Sequence, residues 1–226
     1  MRISLQPAFV LHQRAYRETS LLLDVFSRDH GRVSLIARGV RKANSRWRSL
    51  LQPFIPLLIS WQGKTELMTL NGVEPTGGLL APQKNALLSG FYLNELLVRL
   101  LHKHDPHPKL YDCYHQTLQA LASRPLESTL RLFEKNLLEE IGYGLQFGHT
   151  IEVEQYYHYH PEEGFKPCIE QDMIVSKRVF SGKSLQAFAA EIFEDETCLK
   201  DAKRLIRLAL RPLLGEQPLY SRQLFI

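Results

Sequence analysis

In the first third of the chain apolar and polar positions alternate with a period of two, the spacing at which successive side chains of an extended strand face opposite ways. Segments of strand length with this character are Ala8–His12, Ser20–Ser27, Arg32–Ala37, Pro56–Trp61 and Glu66–Leu70. The third is the cleanest, with Val33, Leu35 and Ala37 on one face and Arg32, Ser34, Ile36 and Arg38 on the other. Asp29-His30-Gly31 predicts a hairpin loop whose glycine takes a positive φ, and Gln62-Gly63-Lys64 predicts a second turn of the same kind. Five short strands within about 65 residues predict a small barrel. The count suits the OB type, with Gly39 to Gln52 as its long excursion.

After Pro82 the period changes. Leu87, Leu88, Phe91, Leu93, Leu96, Leu97, Leu100 and Leu101 recur at helical spacing between Lys84 and His104. Further helices are predicted over Leu110–Ala122 and Leu126–Ile141, the latter stopped by Gly142 and Gly144. Residues 149–180 lose the helical period; Tyr156, Tyr157, Tyr159 and the turn at Glu162 to Gly164 predict an irregular, hairpin-bearing insertion. Helices return over Ser184–Phe193 and Asp195–Leu214. The expected fold class is therefore α+β: an OB-fold barrel over residues 1–80, then a mainly helical domain over 81–226 with a small β insertion at about 149–180.

Composition narrows what such a fold does. With 226 residues and 44% hydrophobic content the chain closes a sizeable core. Cys113, Cys168 and Cys198 are odd in number, lie far apart and form no CxxC pair, which fits a reducing compartment. The apolar run at Ala8–Leu11 is too short for a signal peptide, and Leu50–Trp61, broken by Pro53 and Pro56, is too short to span a membrane. Charge is uneven. Residues 1–80 hold 11 Lys or Arg against 5 Asp or Glu, and residues 81–226 hold 17 against 19, so the net charge of +4 conceals a basic first third.

Seven cations crowd one stretch of that third: Arg28, Arg32, Arg38, Arg41, Lys42, Arg46 and Arg48, with Asp29 the only acid among them. Cations set against phosphates release condensed counterions, which gives salt-dependent binding with little base preference. Trp47, between two of these arginines, is a candidate for base stacking, whereas Trp61 at a strand end reads as core. The alternative is a solvated basic loop. Catalytic signatures are missing: there is no GxxxxGK[ST] or GxGxxG element, and His102, His104, Asp105 and His107 sit together at a predicted helix end, where histidine complements the helix dipole. No enzymatic role and no cofactor are expected.

In order and spacing, several segments resemble the RecO family of recombination mediators. They are Ala8-Phe9-Val10-Leu11, Arg14-Ala15-Tyr16-Arg17-Glu18-Thr19-Ser20, Gly31-Arg32-Val33, Ala37-Arg38-Gly39-Val40-Arg41 and Leu51-Gln52-Pro53-Phe54. The similarity continues at Gly63-Lys64-Thr65-Glu66-Leu67, Tyr92-Leu93-Asn94-Glu95-Leu96-Leu97, Leu130-Arg131-Leu132-Phe133-Glu134, Gly142-Tyr143-Gly144 and Pro218-Leu219-Tyr220-Ser221-Arg222. The resemblance implies a cytoplasmic, nucleoid-associated protein with an N-terminal OB fold and a helical C-terminal domain. Such a protein binds single- and double-stranded DNA, anneals complementary strands and works with RecR to load recombinase on gaps coated by single-stranded-DNA-binding protein. By position it makes Arg14, Arg38, Arg41, Lys42, Arg46, Arg48 and Lys64 candidates for DNA contact, beside Trp47 from the stacking argument.

Many members of that family carry a four-cysteine zinc site after the position of Gly142-Tyr143-Gly144; here only Cys168 remains, so that site cannot form. A mixed set of His149, His158, His160 and Cys168 matches no zinc spacing, and no metal is expected. For a partner, the resemblance points to the acidic tail of single-stranded-DNA-binding protein. Lys200, Arg204, Arg207 and Arg211 align on one side of the last long helix, opposite Leu199, Ala202, Leu205, Ile206 and Ala209. Glu191, Glu194, Asp195, Glu196 and Asp201 are close enough in sequence to neutralise that stripe. Arg131 and Lys135 are the other candidates, expected to project away from the buried side marked by Phe133, Leu137 and Ile141. The competing function is a protein adaptor whose basic loop docks an acidic partner.

Overall fold

The computed structural model describes residues 2–80, 85–121, 123, 126–147, 151–170, 172 and 176–223. Five strands, β1 (Arg2–Tyr16), β2 (Ser20–Ser27), β3 (Gly31–Ala37), β4 (Leu57–Gln62) and β5 (Leu67–Pro75), close a barrel in the order β1-β2-β3-β5-β4. Only β3 and β5 pair in parallel, through Ser34–Ile36 and Leu67–Thr69. This is the OB fold. Strand β1 closes it by pairing with β4 through its first half and β2 through its second, and irregularities at Ile3/Gln6 and Val10/His12 bend it. The barrel is filled by Ala8, Val10, Leu23, Val25, Val33, Leu35, Ala37, Leu57, Ile59 and Met68 from its strands. Trp61 is fully buried there, as its strand-end position suggested.

Two glycines hold the turns for different reasons. Gly31 ends the β2–β3 loop at φ +63°, and a Cβ there would lie 1.9 Å from the Asp105 carbonyl oxygen. Gly63 does not have the expected positive φ; its lack of a side chain lets the backbone approach Met68, whose Cγ would stand 2.8 Å from a Cβ.

Helices α1 (Asn85–Leu100) and α2 (Pro108–Ala120) belong by their contacts to the same unit as the barrel, which comprises Met1–Arg124 and Pro218–Ile226. Proline opens α2, where its missing N–H has no helical acceptor to lose. Tyr111 and Tyr114 of α2 pack on Phe9 and Phe26 from the outer side of β1 and β2. Asn94 of α1 donates to the Leu11 carbonyl at 2.9 Å. A short last helix, α6 (Tyr220–Gln223), is fixed by Glu95, whose carboxylate accepts from the Tyr220 and Ser221 amides.

The second unit, Pro125–Gln217, holds α3 (Leu126–Glu140), a three-stranded antiparallel sheet, α4 (Gly182–Ala189) and α5 (Glu196–Leu214). The sheet, β6 (Tyr156–His160), β7 (Gly164–Cys168) and β8 (Val179–Ser181), is ordered β7-β6-β8 and is the β insertion expected from the lost helical period. Ser181 caps α4 by accepting from the Ser184 amide, and Asp195 caps α5 by accepting from the Thr197 amide at 2.7 Å. Leu205 and Ile206 of α5 are buried, as are Phe133 and Leu137 of α3, and the two helices pack together. Among the described residues no helix is long and apolar enough to cross a membrane.

Candidate nucleic-acid interface

Pairing register builds one end of the barrel. On the outer face, Arg14 of β1 lies opposite Leu22 of β2, Leu22 opposite Ile36 of β3, and Ile36 opposite Thr69 of β5. Tyr16, two residues beyond Arg14, shares its face, and Arg38 continues the outward positions of β3. Further along the same strands α2 covers the outer face over Phe9 and Phe26, so the open part is the end carrying Arg14, Tyr16 and Arg38.

The excursion between β3 and β4 is tied to this end at two places. Arg41 donates from its backbone amide to the Thr19 carbonyl at 2.9 Å and from its guanidinium to the Arg17 carbonyl at 3.0 Å. Gln13 of β1 donates to Gln52, which in turn donates to the Arg48 carbonyl at 3.0 Å. Between the ties the chain folds through successive turns, Lys42 to Gly39, Ser45 to Lys42 and Arg48 to Ser45. Arg14, Arg38, Arg41, Lys42, Arg46 and Arg48 are exposed. None of them pairs with a carboxylate among the described residues.

Other residues of the basic stretch have other employment. Arg28 forks onto Asp112 of α2 at 3.0 and 3.1 Å and also meets Asp29; its hydrogen bonds hold the Asp112 carboxyl below the usual range. Arg32 donates to the Leu101 carbonyl and lies 3.4 Å from Asp24. Trp47 is half-buried, packed against the barrel core. Lys64 is exposed but stands apart: it follows Gln62, which pairs with Arg2 at the opposite end of β1 from Arg14.

In the second unit the expected stripe is partly consumed. Lys200 pairs with Glu196 at 2.8 Å, and Arg204 pairs with Asp201, donates to the Val179 carbonyl and lies over Phe180. Arg207 and Arg211 remain exposed without a carboxylate partner among the described residues. Arg211 joins Arg178, Tyr159 and Pro212 around a concavity of about 650 Å³. Two expectations need correction. Arg131, expected to project outward, is only 4% exposed, because Glu134 one turn on draws it inward: Nη2 donates to Oε1 at 2.8 Å and Nε lies 2.7 Å from Oε2. Lys135 is not free either, bonding the Ala189 carbonyl and Glu191.

His158 and His160 do share a strand face, with ring centroids 4.4 Å apart. His149 lies outside the described residues, and among those described no group of three or more His, Cys, Asp or Glu side chains is placed to hold a metal. The His102, His104, Asp105 and His107 segment joins α1 to α2, bridging β3 through Lys103 and Arg32. The feature that charge counting missed is the β1–β2 turn, since Tyr16 and Arg17 add nothing conspicuous to composition and only the Arg41 tie places them beside the cationic loop.

A closed OB barrel whose open end is lined by unpaired cations, continued by a helical second unit, defines an OB-fold protein of the nucleic-acid-binding class. Comparison with known families narrows this. Residues 1–79 match the family described as Recombination protein O N terminal, and residues 83–223 match Recombination protein O C terminal. The chain is 47% identical over 229 residues to a protein of Coxiella burnetii named DNA repair protein RecO, covering 99% of this chain and 98% of the relative. Proteins of the same name from Haemophilus influenzae and Thiobacillus denitrificans are 44% and 45% identical, covering 100% and 99% of this chain and 97% and 91% of theirs. The chain belongs to the RecO family of DNA repair proteins.

Proposed function

We propose that the chain is a non-catalytic recombination mediator that acts in the cytoplasm at the nucleoid. It binds single- and double-stranded DNA at the open end of the barrel through Arg14, Arg38, Arg41, Lys42, Arg46 and Arg48. Holding two strands there, with their phosphate charge neutralised, promotes annealing of complementary sequences. With RecR, an assignment that rests on family membership, it loads recombinase on gaps coated by single-stranded-DNA-binding protein. Of the α5 stripe, Arg207 and Arg211 are the cations left without a carboxylate partner among the described residues to receive that protein's acidic tail. The observation that carries the reading is the absence of carboxylate partners among the described residues for the barrel-end cations, while Arg28 and Arg32, in the same basic stretch, are paired.

The test is a double variant, Lys42→Glu with Arg46→Glu, chosen because neither side chain bonds to another described residue. Oligonucleotide affinity at moderate salt is expected to fall by about tenfold or more while the thermal midpoint stays unchanged, since exposed charges far from any partner contribute little to stability. Undiminished affinity in a folded variant would remove the barrel end from DNA binding.

A further inference from the structure

At the β1–β2 turn the backbone adopts a conformation that the charge count does not explain. Arg17 has φ +52°, in the left-handed region that side chains other than glycine and asparagine rarely enter. Strain of this kind persists only where surroundings enforce it. Here they do: the Arg17 and Thr19 carbonyls both accept from Arg41, which locks the turn to the cationic loop. The result is that the Arg17 guanidinium lies over the Tyr16 ring, 5.2 Å from its centroid.

Tyr16 is half-buried, as Trp47 is, and faces outward two residues beyond Arg14, whose row runs through Leu22 and Ile36. It is also the aromatic residue best placed to meet a ligand at this end, because Trp61 is fully buried and Trp47 packs against the core. Glu18, exposed at the tip of the turn, disfavours a phosphate there but not an uncharged base. Resting on the DNA-binding reading above, we propose that Tyr16 and Arg17 form a stacking site for an unpaired nucleobase, with the strand's phosphates running over Arg14 and Arg38. Bases within a duplex are covered on both faces by their neighbours, so a stacking site is reached only by single strands, whereas phosphate contacts serve both forms. The turn is thus what makes the barrel end favour single-stranded over double-stranded nucleic acid.

The experiment compares an oligothymidylate with a duplex of equal length on the full chain at fixed salt. Tyr16→Ala is expected to weaken single-strand binding by about fivefold or more and duplex binding by less than about twofold, while Tyr16→Phe keeps both. Arg17→Gly supplies a readout that a purely structural role would not give. Glycine accepts the positive φ, so the thermal midpoint should hold or rise while single-strand affinity falls. Equal losses for the two forms in Tyr16→Ala, no loss in either, or full single-strand affinity in Arg17→Gly would overturn the proposal. If these results occur while Lys42→Glu with Arg46→Glu abolishes binding of both forms, only the stacking site is lost. If that charge variant changes nothing, the DNA-binding reading fails and the stacking site falls with it.

Discussion

Arg131 and Glu134 show how burial changes the meaning of a charge. Their side chains are 5% and 1% exposed, so each carries a large desolvation penalty that the other helps to offset. Arg131→Met leaves Glu134 as a buried carboxylate without its guanidinium, and a loss of about 3–5 kcal/mol is expected in denaturant unfolding. Replacing both, Arg131→Met with Glu134→Leu, should recover most of that loss, since a packed apolar pair replaces a desolvated ionic one. A double variant as unstable as the single would show that the pair is held for some reason other than mutual neutralisation. The same distinction separates the barrel cations. The sequence offers Arg28 only its neighbour Asp29, 3.4 Å away; the fork that sets it apart from Arg46 is Asp112, 84 positions on, brought to it by α2. Residue types were legible in the sequence, but their partners were not, because ion pairing depends on which elements the fold brings together.

Among elements, legibility followed the regularity of the period. Ser20–Ser27 and Leu126–Glu140 emerge almost as the pattern predicts, because each buries one uninterrupted face. Strand β1 runs from Arg2 to Tyr16, far past the expected Ala8–His12, because its irregularities shift the period and its ends are held by backbone pairing with exposed side chains. Helix α4 starts at Gly182, before the expected Ser184, since Ser181 caps it and a Cβ at Gly182 would meet the Glu152 carbonyl oxygen. Strand β6 brings a pH dependence of its own. His158 is held below the usual histidine range by burial first and then by His160 and Arg178, and its Nδ1 is buried without a hydrogen-bond partner among the described residues. The folded state therefore binds this proton less readily than the unfolded state. Stability is retained above the ordinary histidine pKa of about 6.5 and declines as pH falls below it. The thermal midpoint should drop between pH 7.5 and 5.5, by less in His158→Gln than in the parent chain; equal drops would mean that another group controls the acid limb.

For the whole molecule, the net charge of +4 predicts weak attraction to a polyanion, yet binding depends on local rather than total charge. Each unpaired cation that meets a duplex phosphate contributes about −0.9 to the slope of log affinity against log salt, and about −0.7 on a single strand. If the six unpaired barrel-end cations all engage, the slope is expected near −5 on duplex and near −4 on single strands. Lys42→Ala should make the duplex slope shallower by about one, because its charge faces solvent without a carboxylate partner among the described residues. Arg28→Ala removes the same formal charge from the same stretch of sequence, but that charge is already held by Asp112, so the slope should stay where it was. A common shift for both variants would mean that DNA responds to the summed charge of the first third. A shift confined to Lys42→Ala would mean that it responds to the set of cations the barrel leaves unpaired.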